Sequence, residues 1–298
     1  MKLSIIIVSY NTSKLLCDCL TSVQEEQGRA GFTSDVVVVD NASTDNSVTQ
    51  IKSQFPHVKL IVNSTNLGFA AANNLGIKAS SGEYLLLLNS DTTLKPNSLT
   101  ALIGFMDSHP KVAIASPQLL NPDGSIQPQG GALPSLLNLA AWMWFVDDLL
   151  LLNRLFTPYH QSNLSYFKHT RPLGWVAGTA MFIRRQALDK IGLLDEHIFM
   201  YSEDTDLCLR AYRQDFEVYN VSSGQVVHLG QGSGFQETAL LGEYRGLKYL
   251  FNKHYPAWQR PILSFLLKSG ALLRLTIFGT ILGDKPKYHA YKKALKLA

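Results

Sequence analysis

Short apolar runs alternate with helical stretches through the first third of the chain, and this alternation restricts the fold more than any other feature. The runs are rich in leucine and β-branched residues, which is typical of strands buried on both faces of a sheet. Strand–helix alternation with short loops predicts a parallel sheet that is covered by helices and connected by right-handed crossovers. The predicted strands are Leu3–Val8, Asp35–Val39, Val58–Val62 and Tyr84–Leu88.

Beyond these strands the alternation becomes less regular. Cap residues and Pro96 indicate further helices, and short β-rich runs between turn residues indicate further strands. The predicted elements are a helix over Lys95–His109, a strand over Val112–Ala115, an extended segment over Trp175–Ile183, a helix from Ser202 to Tyr212, and short strands over Glu217–Val221 and Gln225–His228.

The carboxyl ends of the predicted strands are followed by polar residues. Ligands of open parallel sheets bind beyond these strand ends. An acidic residue there can hold a divalent cation through oxygen, and the cation can bridge two phosphates. Each polar residue taken alone also fits an ordinary cap or turn. The residues that share this position are Tyr10, Asn11, Asp40, Asn41, Asn66 and Asp91.

Net charge, cysteine spacing and the length of the apolar runs exclude several classes of protein. The net charge of +4 is modest and argues against a dedicated nucleic-acid binder. The cysteines Cys17, Cys19 and Cys208 are not spaced as a zinc site or a disulfide framework, which fits a reduced, cytoplasmic protein. The apolar run Leu3–Val8 is too short for a signal peptide. We also expect no window with the uninterrupted apolar length of a clean membrane span.

The C-terminal part of the chain differs in character and predicts contact with a membrane surface. Pro261–Gly283 is apolar with sparse cations, Lys268 and Arg274, and a lysine-rich end follows. Such a helix can lie on a bilayer and be attracted by anionic lipid. Leu136–Leu152 offers a second apolar patch whose tryptophans prefer membrane interfaces. Packing of the tail as ordinary core helices is the alternative.

Five stretches, in order over about the first 230 residues, resemble the inverting family 2 glycosyltransferases of the GT-A fold. A finer resemblance, carried by Asn66–Phe69 and Gly178–Ala180, is to bacterial rhamnosyltransferases of cell-surface polysaccharide synthesis. The resemblance implies an α/β fold with a Rossmann-like, mostly parallel sheet over residues 1–234, and C-terminal helices that associate with membrane over residues 235–298. The five stretches are Ser4–Asn11, Val38–Asp45, Asn66–Asn73, Leu88–Asp91 and Ser202–Cys208.

The resemblance also implies a binding site for a nucleoside diphosphate sugar and a metal. Asp91 matches the metal-binding acid of an Asp-X-Asp motif, and His228 matches a late histidine that completes the site. Asn89 stands where the motif has its first acid, so this position brings no charge. Mg²⁺ prefers oxygen ligands, and a nitrogen ligand favours tolerance of Mn²⁺. The residues implied to bind the nucleotide sugar are Tyr10, Asn11, Asp40, Asn66, Asn89 and Ser90.

Asp204 would be the general base by the same resemblance. A carboxylate beside the acceptor can take the hydroxyl proton while that oxygen attacks the sugar carbon from the face opposite the diphosphate, which inverts the configuration. Glu203 and Asp206 are competing candidates. Trp175, Gly178 and Glu203 would line the acceptor side.

The implied reaction moves L-rhamnose from dTDP-rhamnose to a polyprenyl-diphosphate-linked or other glycan, at the inner face of the cell membrane. Another sugar nucleotide of the same family is an alternative donor. A nucleotidyltransferase would need a glycine-rich basic loop after the first strand, whereas Ser9–Ser13 contains neither glycine nor arginine. A non-catalytic sugar-nucleotide-binding scaffold is a further alternative, although Asp91 and Asp204 are both present.

Overall fold

The computed structural model describes residues 1–147, 157–230 and 237–298. Its strands are β1 Leu3–Ser9, β2 Ser34–Asp40, β3 Lys59–Val62, β4 Tyr84–Asn89, β5 Thr92–Leu94, β6 Val112–Leu120, β7 Arg171–Leu173, β8 Ala180–Arg184 and β9 Glu217–His228. Its helices are α1 Ser13–Arg29, α2 Ser47–Gln54, α3 Phe69–Lys78, α4 Ser98–Ser108, α5 Leu136–Met143, α6 Leu164–Phe167, α7 Arg185–Ile191, α8 Glu203–Tyr212, α9 Glu237–His254, α10 Gln259–Arg274 and α11 Lys285–Leu297. A π-helical segment, Leu275–Ile281, continues α10.

The nine strands of the described residues form one sheet in the order β3-β2-β1-β4-β8-β6-β9-β5, and β7 also pairs with β9. β5, β7 and β8 run antiparallel to their neighbours, while the other pairings are parallel. This confirms the predicted mostly parallel sheet flanked by helices. Because Ser9 pairs with Asp40 and Val8 pairs with Asn89, the ends of β1, β2 and β4 meet at one edge.

The core explains why the apolar runs are continuous. β1 and β4 are buried on both faces, and α1 packs against the sheet through a buried stripe that includes Leu16, Leu20 and Val23. α3 approaches the sheet so closely that a Cβ on Gly76 would collide with the side chain of Ile6. The continuous runs therefore follow from burial on both sides of the sheet.

The described cysteines are free, as the sequence predicts. Cys19 and Cys208 are buried, and burial raises the pKa of the Cys19 thiol to about 12. A thiol of that kind is inert, because the thiolate is the reactive form.

The second half of the sheet differs from the prediction in two strands. Glu217–Val221 and Gln225–His228 are parts of the single strand β9, so the break predicted between them is wrong. β6 continues past the predicted Val112–Ala115 to Leu120, through Pro117, where the pairing with β9 shifts register. Residues 222–224 are skipped between the pairs Pro117–Val221 and Gln118–Gln225, so they form an irregularity inside β9 and do not end the strand.

The segment between Trp175 and Ile183 is strand only from Ala180, so the predicted extension is too long. The residues that precede the strand instead use their backbone in contacts with α8 and with the end of β4. The Gly178 N–H donates to Asp204, and the Thr179 carbonyl accepts from the N–H of Asn89.

The described residues divide by their contacts into two units. The first contains the whole sheet and comprises residues 1–130, 162–199 and 203–230. The second contains α5, α9, α10 and α11 and comprises residues 131–147, 157–161, 200–202 and 237–298. The boundary predicted between residues 234 and 235 lies outside the described residues and stays a prediction, as does the apolar segment over residues 148–152.

A buried arginine organises the second unit. Arg274 is 4% exposed, so it is a core residue and not one of the surface cations expected in the tail. Its guanidinium donates to the carbonyls of Trp142 at 2.8 Å and Met143 at 2.6 Å, where α5 ends, and it lies 4.2 Å from the ring of Phe145. These contacts satisfy carbonyls that a helix terminus leaves without partners.

Length and composition would allow one helix of the described residues to cross a membrane, although Arg260, Lys268 and Arg274 interrupt its apolar sequence. It is Gln259–Ile281, which has a mean hydropathy of 1.5 and is 33% buried over its most apolar window. A core helix of a soluble protein satisfies the same criterion. The helix therefore only permits contact with a membrane.

Candidate active site

The loops after β1 and β4 are joined at the edge where these strands end. The Ser9 hydroxyl lies 2.9 Å from the Thr12 hydroxyl, and Thr12 donates to the Ser90 hydroxyl at 2.9 Å. Ser9 is also the partner of Asp40 in the pairing of β1 with β2. Residues that follow three different strands therefore meet at one edge of the sheet.

Asp40 is fully buried at this edge, and one of its carboxylate oxygens has no protein donor. Oδ2 accepts the N–H of Ser43 at 3.0 Å, whereas Oδ1 has no hydrogen-bond partner. A buried acceptor left without a donor costs on the order of 1–3 kcal/mol. Such a cost is expected where a ligand supplies the missing donor.

The predicted residues Tyr10 and Asn11 have different surroundings. Tyr10 is 50% exposed, so its ring is open to a ligand. Asn11 has a φ of 54°, accepts the N–H of Thr44 at 2.7 Å through its side chain, and donates its own N–H to the Ser43 hydroxyl at 2.9 Å. Asn11 therefore ties the loop after β1 to the loop after β2.

Asn66 and Asn41 connect the loops after β2 and β3. Asn66 Oδ1 accepts from Asn41 Nδ2 at 2.8 Å and from the N–H of Gly68 at 3.0 Å. Asn41 Oδ1 accepts from the N–H of Leu67 at 3.0 Å. Asn41 therefore joins two loops at the edge where the sequence predicted it, although the resemblance gave it no role.

Asp91 and His228 are brought together by the antiparallel pairing of β5 with β9. Thr92 pairs with His228, and the Leu229 N–H donates to the carbonyl of Asp91 at 2.9 Å. Asp91 Oδ2 lies 3.4 Å from His228 Nε2, and the two side chains are 20% and 19% exposed. Both predicted metal ligands therefore face the same accessible space.

This donor pair fits a divalent metal that also takes oxygens from its substrate. No group of three or more histidine, cysteine or acidic side chains with metal-site geometry occurs in the described parts of the chain. Mg²⁺ commonly uses one or two carboxylates together with phosphate oxygens and water, and imidazole suits Mn²⁺ less than oxygen does but is tolerated. A metal held by Asp91 and His228 would have to take its other ligands from the substrate or from water.

Asp204 is linked to the same edge by consecutive hydrogen bonds. Its Oδ2 accepts the N–H of Gly178 at 3.0 Å, and its Oδ1 accepts the N–H of Thr205 at 2.6 Å. The next residue after Gly178, Thr179, accepts the N–H of Asn89 at the end of β4 at 2.9 Å. The Gly178–Thr179 backbone therefore places Asp204 on the side of the sheet where Asp91 lies.

The first turn of α8 carries three acids with different environments. Asp206 is 0% exposed and accepts from Nε of Arg210 at 2.8 Å, and Glu203 is 5% exposed. Asp204 is half-buried. Of the three, Asp204 is the most accessible to a substrate.

The remaining predicted acceptor-side residues are closely packed. Trp175 is 8% exposed, so little of its ring is available to a ligand. A Cβ on Gly178 would lie 3.2 Å from Cε1 of Phe69 and 3.8 Å from Cβ of Asp204. Phe69 and Asp204 both pack against Gly178, and Phe69 is a residue that the sequence did not assign to the site.

Known proteins resemble the chain in sequence and in fold. A relative from Mycobacterium tuberculosis, an N-acetylglucosaminyl-diphospho-decaprenol L-rhamnosyltransferase, is 28% identical over 253 residues, which cover 80% of this chain and 81% of the relative. GalNAc-T7, solved with UDP, GalNAc and Mn²⁺, superposes with a TM-score of 0.67 at 15% identity, covering 99% of this chain and 54% of that one.

The mannosyltransferase PcManGT of Pyrobaculum calidifontis, solved with GDP-Man and Mn²⁺, superposes with a TM-score of 0.60 at 15% identity, covering 99% of this chain and 86% of that one. At such identities these structures establish the GT-A fold alone.

Residues 4–192 match the family described as glycosyl transferase family 2. Because this match spans more than half of the chain, and because the fold agrees with it, the protein is a glycosyltransferase that belongs to glycosyl transferase family 2.

Proposed function

We propose that the protein is an inverting, metal-dependent rhamnosyltransferase of bacterial cell-surface polysaccharide synthesis. Its donor is dTDP-L-rhamnose, and its acceptor is a hydroxyl of a glycan linked to polyprenyl diphosphate. The Mycobacterium tuberculosis relative supports this choice, because its name contains both the transferred sugar and a polyprenyl-diphosphate acceptor.

The observation that carries the proposal is the position of Asp204. Its carboxylate is held by the Gly178 N–H, one residue from the contact between Thr179 and Asn89 at the end of β4. A base there would share this edge with Asp91, which follows Asn89 by two residues, and with His228 beside Asp91. This arrangement supports a reaction between a bound donor and an acceptor hydroxyl.

The proposed reaction is a single displacement. The acceptor oxygen forms a bond to C1 of the sugar while the bond between C1 and the diphosphate oxygen breaks, and the hydroxyl proton passes to a carboxylate oxygen of Asp204. Asp206 is paired with Arg210 and buried, which favours Asp204 as the base. Asp91 and His228 would hold Mg²⁺ or Mn²⁺, which would neutralise charge on the departing diphosphate.

The donor contacts follow from the loops at the sheet edge. Asp40 offers a buried oxygen without a protein donor, which suits a hydroxyl or N–H of a nucleoside. Tyr10 presents an exposed ring that suits stacking against a base. Ser90 and Asn89 connect this nucleoside region to Asp91.

A donor and acceptor panel tests the proposed specificity. We expect rhamnosyl transfer from dTDP-L-rhamnose to N-acetylglucosaminyl-diphospho-polyprenol in the presence of Mg²⁺ or Mn²⁺, measured by mass spectrometry of the lipid. UDP-glucose, UDP-N-acetylglucosamine and GDP-mannose should be transferred at least about tenfold more slowly, since specificity from pocket contacts is typically worth 1–3 kcal/mol. Preferred transfer from one of these would retain the family and exclude rhamnose. Binding of every donor without any transfer would favour the scaffold alternative.

We also propose that α10 attaches the protein to an anionic membrane at the cytoplasmic face. One side of α10 is buried in its own unit through Leu263, Leu267 and other residues. Another side exposes Trp258 (62%) and Phe265 (61%). Exposed apolar side chains beside cations suit the interface of an anionic bilayer. The exposed residues of this helical stripe are Trp258, Ile262, Phe265 and Leu272, with the cations Arg260 and Lys268 nearby in the chain.

The stripe predicts a defined loss of vesicle binding. Replacing Trp258 and Phe265 together with serine should weaken cosedimentation with phosphatidylglycerol vesicles by roughly tenfold or more, because each side chain contributes about 1.5–3 kcal/mol when it leaves water. The control is Leu164→Ser, which removes an exposed leucine (46%) from α6, outside both apolar patches. The attachment would be excluded if the wild-type protein does not bind the vesicles, or if wild type, the double variant and the control bind them equally.

A further inference from the structure

The orientation of His228 depends on a residue outside the predicted site. Nδ1 of His228 lies 2.8 Å from Oε1 of Gln127, while Nε2 lies 3.4 Å from Oδ2 of Asp91. A neutral imidazole carries its proton on one nitrogen only. The lone pair of Nε2 is available beside Asp91 only if the proton stays on Nδ1.

A hairpin at the end of β6 fixes the position of Gln127. Leu120 bridges to Ile126, and the Gln127 N–H donates to the carbonyl of Leu119 at 2.9 Å. At the tip, the Asn121 N–H donates to the carbonyl of Ser125 at 2.8 Å. Gln127 is thus held by backbone pairing, and its side chain is half-buried next to His228.

Four side chains of this hairpin form a chain of hydrogen bonds in which the donor and the acceptor of each bond are fixed. It starts at Asp123, whose carboxylate can only accept, and whose pKa the Ser125 hydroxyl and N–H hold below its usual range. The Ser125 hydroxyl donates to Asp123 at 2.6 Å and therefore accepts from Asn121 Nδ2 at 2.9 Å. Asn121 Oδ1 then accepts from Gln127 Nε2 at 3.1 Å, which leaves Oε1 of Gln127 facing His228.

The reversed arrangement is unfavourable at both ends of Gln127. Turning its amide would bring Oε1 against Oδ1 of Asn121, so that two acceptors would meet. With the amide as it stands, a proton on Nε2 alone would place the Nδ1 lone pair of His228 against Oε1 at 2.8 Å. The competing contact to Asp91, at 3.4 Å, is longer than a normal N–H···O bond of about 2.7–3.2 Å.

We propose that Gln127 is a positioning residue that keeps the proton of His228 on Nδ1 and so presents the Nε2 lone pair beside Asp91. The consequence for metal binding rests on the proposed function, whereas the tautomer itself does not. Partners of this kind commonly fix the tautomer and ring orientation of a histidine ligand. The ligand class that this arrangement serves is a divalent cation that accepts one imidazole nitrogen.

The tautomer is measured directly in the metal-free protein. Long-range ¹H–¹⁵N spectra of protein labelled with ¹⁵N-histidine, in an alkaline buffer in which histidines are neutral, distinguish the two ring nitrogens. The eight histidines give eight patterns, and the one missing from His228→Gln belongs to His228. We expect the proton on Nδ1. A wild-type pattern with the proton on Nε2 overturns the proposal, whatever the variants do.

Substitutions at Gln127 then separate positioning from packing. Gln127→Leu should lose the preference for Nδ1–H, whereas Gln127→Glu should keep it, because a carboxylate still accepts. Gln24→Leu is the matched control, since Gln24 Nε2 lies 3.0 Å from Nε2 of His57 on the surface. It should leave the His228 pattern unchanged. An unchanged pattern in folded Gln127→Leu overturns the proposal.

Metal affinity gives a second measurement that does not require turnover. Mn²⁺ binding in the presence of dTDP, followed by the electron paramagnetic resonance signal of free Mn²⁺, should weaken about 10–100-fold in Gln127→Leu and remain near wild type in Gln127→Glu. If wild type binds no Mn²⁺ but shows Nδ1–H, the metal site of the proposed function fails while the role of Gln127 in setting the tautomer stands. Equal Mn²⁺ affinity in wild type and both variants overturns the link between Gln127 and the metal.

Discussion

Replacing Asp204 with asparagine is expected to lower kcat about 10²–10⁴-fold, the range over which general bases contribute. The amide has nearly the same shape and can still accept the N–H of Gly178 or Thr205, but it cannot take a proton from the acceptor hydroxyl. The measurement is the rate of rhamnosyl transfer at saturating donor, together with thermal unfolding. We expect donor binding to change little, because the role proposed for Asp204 is to deprotonate the acceptor.

Stability separates this prediction from a purely structural role. As an acid in the first turn of α8, Asp204 also compensates the helix dipole, and losing that effect costs only about 0.3–1 kcal/mol. A protein that loses about this stability but keeps its turnover would show that Asp204 only stabilises the helix. Asp189→Asn, which removes an exposed acid from α7, is the control and should change neither quantity.

Replacing Asp91 with asparagine is expected to lower kcat/KM about a hundredfold or more and to weaken activation by divalent metal. A metal that stabilises a departing diphosphate contributes several kcal/mol to the transition state, and each 1.4 kcal/mol is about a factor of ten in rate. An amide is a poorer ligand than a carboxylate, so His228 would be left as the stronger of the two donors. The rate measured against Mg²⁺ and Mn²⁺ concentration gives the apparent affinity for each ion.

The control for Asp91 is Asp18→Asn on the exposed side of α1, which should keep the metal dependence of the wild type. Calorimetry of dTDP binding with and without Mn²⁺ adds a measurement independent of chemistry. If Asp91→Asn and wild type respond identically to both ions, Asp91 has no part in binding the metal, and the transferase would have to operate with a different ligand set.

The first half of the sheet could be predicted from sequence because its signals are local. β1, β2 and β4 are runs of apolar residues buried on both faces, and turn residues mark where each of them ends. The edge at which Ser9, Asp40 and Asn89 align follows from parallel pairing alone. No longer-range information is needed to place them.

The second half could not be predicted because tertiary contacts decide it. The middle of β9 contains Gly224, which resembles a turn residue in the sequence. In the structure a Cβ at that position would lie 3.1 Å from Leu102 and 3.3 Å from the carbonyl of Ser98, so the glycine lets α4 pack against the strand. Ser116 of β6 is likewise buried, and it donates to the carbonyl of Ala180 at 2.9 Å.

The sequence could predict which residues belong to the candidate site, but it could not predict which of their side chains contact each other. Asp91 and His228 are matched by a resemblance, but their contact depends on the register of β5 against β9. Gln127 has no signal of its own in the sequence, since it follows a common turn pattern of Asn-Pro-Asp-Gly-Ser. Its role depends on the orientation of the side-chain amides of Gln127 and Asn121 and of the Ser125 hydroxyl.

The late position of β9 in the chain has a consequence for synthesis. The four parallel strands that carry the loops proposed to bind the nucleoside leave the ribosome long before His228 does. Non-local strand pairing of this kind is slow relative to local folding, so β9 joins a sheet that already has its first layer of helices. A nascent chain interrupted before β9 therefore carries the loops proposed to bind the nucleoside but lacks His228, one of the two proposed metal ligands. Under the proposed function, such an unfinished chain would bind the donor nucleotide without being able to transfer its sugar.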